Sequence, residues 1–541
     1  MSKCVMAGVP AVVDVFAPGH IGELTQVVPV ELVDAVLEET RTRERRLRNL
    51  PSRVGVYFVL TLGLFEHLGS RLVWEKLIAG LDSTTPRPSE KALRDLRRRL
   101  GSAPLERLFA VLSGPLGQPS TPGVCYRRWR TVAFDGCSSL SAPDHERNRS
   151  WLGRIASRFG GNSYPRVMLM ALCETGTRGL IGAVFGPAAE GELAYARQLV
   201  GRLTESMLVL ADRAFDSNGL LCDVAARGAQ FLVRSSSKRR PPVLALLPDG
   251  SYLTRLGDLT VRVIEADITV HAADGSRTTG TYRLLTTLTD HRADPATALI
   301  KLYHERWEVE CAFLALRHTL LKGRVLRSKD PAGITQELWG LLVLYQALRS
   351  VMVTAVEAQG GMDPDRAGFT IALEAARDTV IRAHGIIPFP GPDSRPDLTG
   401  YIGATVLHHP LPARRPRISA RIVKRGISRY HTWNHDGRPL ASTPITALTL
   451  SVRPPTLAPP RTRAPGKQDR WTQISQIMAA SAHRTWQAKE IAHVLGITGR
   501  KPFNSLNTQL GYWTRAGRLT RTAPSTYKIT LPETLTATSS P

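Results

Sequence analysis

Acidic residues are scarce in this chain: 46 Asp and Glu stand against 71 Lys and Arg, a formal charge of +25 over 541 residues. So basic a balance points to a polyanionic partner, either nucleic acid or an anionic membrane surface. Long apolar runs are missing too. The longest nearly unbroken one, Val54 to Phe65, has 12 residues, too short to span a bilayer. No long apolar segment precedes Asp14, so neither a membrane anchor nor a signal peptide is expected. Cysteine is sparse and scattered: Cys4, Cys125, Cys137, Cys173, Cys222 and Cys311 form no C-x-x-C pair, and no His stands at zinc-finger spacing. That excludes a disulfide framework and a structural zinc, and predicts reduced thiols in a cytoplasmic protein. What is present, 43% hydrophobic and 22% charged residues, is globular composition, and the length predicts three or four structural units.

The positive charge is uneven. Residues 411–541 hold 21 Lys/Arg against 4 Asp/Glu, so +17 of the formal +25 lies there. Residues 20–112 have helical periodicity, and Arg41, Arg43, Arg45, Arg46 and Arg48 fit either a phosphate-binding helix face or a solvated one partnered by Glu39 and Glu44. From Tyr126 the texture turns to short β-rich runs. Strands are predicted over Arg130–Asp135, Pro165–Cys173, Gly179–Phe185, Ser206–Asp212 and Gln230–Arg234, with helices over Glu190–Leu203 and Gly219–Arg227. A three-strand meander followed by alternating helix and strand is the order of an RNase H-like α/β sheet. Residues 235–280 read as a small β insertion; the sheet resumes at Tyr282, and a long helical region runs from Pro295 to Glu357.

Two of those strands end on an acid, Asp135 and Asp212. Each alone reads more readily as a turn former than as a catalytic acid, and Asp135-Gly136 is a common turn dipeptide. On the later helix, Tyr303, Arg306, Glu310 and Arg317 fall at roughly 0°, 300°, 340° and 320° of a 100°-per-residue wheel. Glu305 and Glu308 face elsewhere. One carboxylate between two guanidiniums and a phenol suits a site for metal and phosphate; an ordinary i,i+4 ion pair between Arg306 and Glu310 is the other reading.

Together, Ala133-Phe-Asp135-Gly136, Leu210-Ala-Asp212-Arg213-Ala-Phe215 and Tyr303-x2-Arg306-x3-Glu310 resemble the motifs of DDE transposases of the bacterial insertion sequence 4 family. Arg45-Arg-Leu-Arg-Asn-Leu-Pro-Ser-Arg before them, and Leu326-Arg-Ser-Lys-Asp-Pro with Gln336-Glu-Leu-Trp after them, extend the resemblance over residues 15–380. Arg317 stands where the signature has Lys. The resemblance implies that Asp135, Asp212 and Glu310 are catalytic and hold two Mg²⁺ ions (Mn²⁺ being an alternative), with Asp135 bridging them. It implies that Tyr303, Arg306, Arg317 and Arg213 contact DNA. The implied activity is cut-and-paste transposition: binding of terminal repeats, phosphodiester hydrolysis at the element ends and transfer of the 3′-hydroxyl ends to target DNA. The implied partners are double-stranded transposon-end and target DNA, with a homodimer in the synaptic complex, in the bacterial cytoplasm at the nucleoid. Some relatives form a hairpin with help from a Trp in the β insertion; none of the nine Trp lies between 235 and 300 here, which leaves Tyr252 or Tyr282 as substitutes.

The expected architecture is an N-terminal helical DNA-binding domain (1–120), an RNase H-like core (121–385), a basic Pro-rich linker region (386–466) and a winged-helix-like DNA-binding domain (467–541). In the last, helices are expected over Trp471–Ala482, Thr485–Leu495 and Pro502–Ala516, followed by a β wing. Asn504 and Asn507, with Ser505, Thr508 and Gln509, would then face bases, and Arg515, Arg518 and Arg521 phosphates; a small helical protein-interaction domain is the other reading of this unit. Rivals for the whole chain are a domesticated transposase-derived DNA-binding regulator and an RNase H-like nuclease.

Overall fold

The computed structural model describes residues 19–383 except 45, 47, 82–84, 154–163, 237–238, 273–274 and 276, together with 400–413, 445–455 and 470–530. The chain divides into two compact units, one ending at Pro455 and one beginning at Thr456.

The first unit opens with five helices: α1 (Val30–Glu39), α2 (Ser52–Leu64), α3 (Ser70–Ile78), α4 (Glu90–Leu100) and α5 (Ala103–Leu112). Helix α4 shows why they form. Ser89 caps it by accepting the Ala92 N–H, Leu93, Leu96 and Leu100 recur at helical spacing on the buried side, and Gly101 ends it with φ +67°. The apolar run in α2 is buried almost throughout. Because α1 stops at Glu39, the Arg41–Arg48 run is not a helix face but the connection to α2. There Arg43 pairs with Glu38, while Glu39 pairs with Arg107 and Glu44 with Arg99; Arg45 lies outside the described residues.

Then come β1 (Cys125–Tyr126), β2 (Trp129–Ser141), α6 (Glu146–Leu152), β3 (Arg166–Glu174), β4 (Leu180–Pro187), α7 (Glu192–Leu199), β5 (Met207–Ala211), α8 (Asn218–Ala226) and β6 (Gln230–Arg234). Their order across the sheet is β4-β3-β2-β5-β6. The first three are antiparallel, and β5 and β6 run parallel to β2. These are the order and directions expected of an RNase H-like sheet. Alternation along β2 splits its side chains between two cores: Val132 and Phe134 pack with Tyr195, Leu220 and Val224 of α7 and α8, while Ala133 and Cys137 join the larger core on the opposite face.

Four further strands, β7 (Ala245–Leu246), β8 (Tyr252–Leu256), β9 (Leu259–Ala272) and β10 (Arg277–Thr286), fill the predicted insertion. They are not a separate module. Leu284–Thr286 of β10 pair with β6, so the insertion extends the main sheet. The helical region that follows is broken rather than continuous: α9 (Ala296–Tyr303), a 3₁₀ turn over His304–Trp307, α10 (Glu308–Leu314), a π-helical stretch over Ala315–Leu320, then α11 (Pro331–Gln359). Helix α11 is the one described helix long and apolar enough to cross a bilayer, and 83% of its apolar window is buried inside the fold. Next is α12 (Phe369–Ile381).

The region expected to be a linker contributes to this unit as well. In α13 (Gly400–His408), Ile402 and Val406 are fully buried, and the Glu23 carboxylate accepts the N–H groups of Tyr401 and Ile402. Strand β11 (Ile445–Arg453) pairs antiparallel with β9, about 180 residues earlier. A long-range partner, rather than local composition, makes these segments structured. The Pro-rich 388–398 stretch and the basic run Arg414–Arg429 lie outside the described residues.

The second unit comprises α14 (Arg470–Ala479), β12 (Trp486–Gln487), α15 (Ala488–Val494), α16 (Arg500–Arg515), β13 (Leu519–Ala523) and β14 (Thr526–Ile529). Its sheet order is β12-β14-β13. Ile474, Ile491, Leu506, Leu510, Trp513 and Tyr527 form its core, and a reciprocal capping box between Gln487 and Glu490 starts α15.

Candidate active site

Asp135 does not end its strand. β2 continues to Ser141, because Asp135 and Gly136 pair with Ala171 and Met170 of β3, and that pairing overrides the turn tendency of Asp-Gly. Asp212 does stand at a strand end: it follows β5 and caps a 3₁₀ turn by accepting the Ala214 N–H at 2.6 Å. Ala133 pairs with Leu210 in the parallel β2–β5 register. Asp135 and Asp212 each follow that last pair by two residues.

The third acid comes from α10. Arg306, buried in the preceding 3₁₀ turn, spans Asp135 and Glu310: one guanidinium nitrogen lies 3.5 Å from Asp135 Oδ2 and the other 3.1 Å from Glu310 Oε1. Burial pushes the Asp135 carboxyl up to about 7; Arg306 opposes this shift, and the charges of Glu310 and Asp212 add to it. Tyr303 is buried against Tyr282, and burial lifts its phenol to about 12, with Asp212 adding to the shift. Arg306 thus ties Asp135 to Glu310, and the charge of Asp212 is felt at both Asp135 and Tyr303. Glu308 faces away, as expected, and pairs with Arg178.

Arg317 lies half-buried in the π-helical stretch that follows α10. Arg213 is exposed in the turn after Asp212. Neither Tyr252 nor Tyr282 offers a stacking platform. Both are buried, Tyr252 donating to Glu265 and Tyr282 lying under the Arg234 guanidinium.

One neighbour had no sequence signal. Glu192 opens α7 and packs over Gly136, where a Cβ would stand 3.0 Å from its Oε1. Burial, then the charge of Asp212, pushes its carboxyl up. No motif spacing marks it, because the packing of α7 on the sheet brings Glu192 to this position.

In the second unit Asn504, Arg515 and Arg518 are exposed, and Arg518 stacks on Trp471. Ser505, Thr508 and Arg521 are also exposed. Asn507 is turned partly inward, its Oδ1 buried and without a hydrogen-bond partner, and Gln509 bonds Arg470.

Two protein-family models match the chain and together span more than half of it: the insertion element 4 transposase N-terminal family over residues 18–110 and the transposase DDE domain over residues 132–346. The transposase InsG for insertion sequence element IS4 of Escherichia coli (strain K12) is 26% identical over 410 residues, 74% of this chain and 91% of that protein. The putative transposase InsZ of the same strain is 25% identical over 202 residues, 37% of this chain and 66% of that protein. Among solved structures, a piggyBac transposase synaptic complex with hairpin DNA aligns with a TM-score of 0.34 and 13% identity, over 75% of this chain and 86% of that one. The matched DDE domain contains Asp135, Asp212 and Glu310, and the chain belongs to the IS4 family of DDE transposases.

Proposed function

We propose that Asp135, Asp212 and Glu310 are the catalytic carboxylates of this transposase and that they hold two Mg²⁺ ions, replaceable by Mn²⁺. The DDE domain carries a general dependence on divalent metal and action on DNA. The observation behind the assignment is the Arg306 guanidinium seated between Asp135 and Glu310: two of the three carboxylates already share one positive charge. Carboxylate oxygens are the hard donors that Mg²⁺ takes, so the side chains fit the ion. Among the described residues no three His, Cys, Asp or Glu side chains form a ready-made metal cage, consistent with Arg306 standing in for the cation. When bound, two such ions activate an attacking water and stabilise the leaving oxygen of an in-line phosphoryl displacement.

The chain's own residues do the remaining work. Arg306 offers its guanidinium fork to a phosphate beside the scissile bond, Tyr303 fixes the strand from its buried seat, and Arg213 and Arg317 add positive charge at the rim. Water cuts at the element ends, and the freed 3′-hydroxyl then attacks target DNA at the same carboxylates, in cut-and-paste order. The N-terminal helices and the second unit bind the terminal repeats. In the second unit, taken as a winged helix, the exposed face of α16 carrying Asn504 and Arg515 enters the groove, with Asn507 at its margin and Arg518 on the backbone. A homodimer brings the two ends together, in the bacterial cytoplasm on nucleoid DNA.

The assignment is tested by Mn²⁺ titration followed by electron paramagnetic resonance on the protein bound to duplex DNA. Two bound ions are expected in the wild type, with loss of at least one in Asp135→Asn. Equal Mn²⁺ binding by both proteins would move the metal site elsewhere.

A further inference from the structure

A second basic site lies apart from the carboxylates. A cavity of about 460 Å³ opens between α4 and the loop leading into α11, lined by Arg94, Arg97, Arg98, Arg327 and Lys329 against a single acid, Asp330. Two of the cations build its walls. Arg97 donates to Gln336 Oε1 and Ser328 Oγ, both at 3.0 Å, and Arg327 donates to the carbonyls of Leu68 and Phe65 past the end of α2. The loop is fixed from the other side by Glu337, which accepts the N–H groups of Arg327 and Ser328. Asp330 is occupied in capping α11 through the Gly333 N–H at 2.9 Å. The remaining three, Arg94, Arg98 and Lys329, are exposed and pair with no carboxylate among the described residues. Three cations held at the mouth of a rigid, polar cleft, without acidic partners, are placed for an external anion.

The cleft is mechanically joined to the catalytic strand. The Leu326 N–H donates to the Ser141 carbonyl at the end of β2, and Asn148 of α6 donates to the Ser328 carbonyl. Ser141 lies six residues beyond Asp135 on that strand, roughly 20 Å at 3.3 Å per residue.

We infer that this cleft grips the DNA backbone at phosphates away from the scissile one, through Arg94, Arg98 and Lys329. The inference rests on the reading of Asp135 as the cutting site. Arg97 and Arg327 shape the cleft and face protein acceptors, so the affinity resides in the three exposed cations. A phosphate backbone, unlike a base edge, needs only charge and donors, which predicts binding indifferent to sequence at this position.

The test compares the full-length protein with its Arg94→Gln/Arg98→Gln/Lys329→Gln variant in binding a duplex of about 40 bp across a salt series. A second variant, Arg202→Gln/Arg227→Gln/Arg292→Gln, removes equal charge from exposed positions elsewhere. Each lost phosphate contact removes about 0.9 from the log–log salt slope. The cleft variant is therefore expected to lose about 2 to 3 units of slope and to bind about a hundredfold more weakly near 0.1 M salt. The remote variant should change little, and circular dichroism should show both folded. Inorganic phosphate, added at constant ionic strength, should not displace the duplex. Equal slopes in wild type and cleft variant, equal losses in both variants, or displacement by inorganic phosphate would each overturn the inference. Asp212→Asn separates the two readings. If it abolishes cleavage while the cleft variant binds normally, the active-site reading stands and the cleft inference falls; cleavage surviving in Asp212→Asn removes the basis of both.

Discussion

Arg178 gives the sharpest test of how the site is held. It sits in the β3–β4 turn at φ +63°, and its guanidinium joins Glu308, two residues before Glu310, to Asp365. The side chains are 9%, 2% and 1% exposed, so both ion pairs lie in a low-dielectric setting. Arg178→Met keeps much of the apolar stem and removes the charge. Breaking a buried ion pair by deleting one partner costs about 3–5 kcal/mol, and Arg178 is a partner in both pairs, so one substitution breaks both. Neutralising the acids as well, in Arg178→Met/Glu308→Gln/Asp365→Asn, removes the uncompensated charges and should return more than half of the loss. The strained turn is common to both variants and cancels. Urea unfolding at neutral pH measures both, and the triple variant should retain metal-dependent cleavage because α10 keeps its seat. A loss below about 1 kcal/mol in the single variant, or a triple variant no more stable than the single, would refute the reasoning and assign the effect to packing.

Other outcomes follow from the same geometry. His20 is buried, bonded through Nε2 to the Leu77 carbonyl and through Nδ1 to the Gly22 N–H, and burial lowers its pKa from 6.5 to about 4. The unfolded chain takes up this proton near 6.5 and the folded chain only near 4, so stability should fall by about 3 kcal/mol as pH drops through that window; a His20→Gln variant should lose less over the same interval in pH-dependent unfolding. Gly22→Ala should destabilise by more than about 2 kcal/mol in denaturant unfolding, since φ is +62° and the new Cβ would run into Thr379 Oγ1 and stand 2.6 Å from the Thr379 backbone. Arg306→Gln should lower the melting temperature of the metal-free protein and make added Mg²⁺ more stabilising than in wild type, because Asp135 and Glu310 lose the charge between them; thermal unfolding with and without Mg²⁺ reads the difference.

Much of the site was legible because its signals are local. Strand patterning located Asp135 and Asp212, and helical spacing brought Arg306 and Glu310 together, since only about two turns separate Tyr303 from Glu310. The Asp135-Gly136 turn signal gave way to cross-strand pairing, and β11 was hidden in a basic, Pro-rich stretch because its partner lies far upstream in β9. Glu192 left no trace in spacing, as its proximity to Gly136 and Asp212 exists only once α7 is packed on the sheet.

The most direct test of the three-carboxylate assignment is strand cleavage of a duplex bearing the flanking terminal repeat, with Mg²⁺, by wild type and by Asp135→Asn, Asp212→Asn and Glu310→Gln. Each amide keeps the shape of the acid and removes its charge, so each variant should bind the duplex nearly as wild type does while cleavage falls by at least about a thousandfold. Cleavage within a few fold of wild type in any one of them would remove that residue from the metal site and contradict the account.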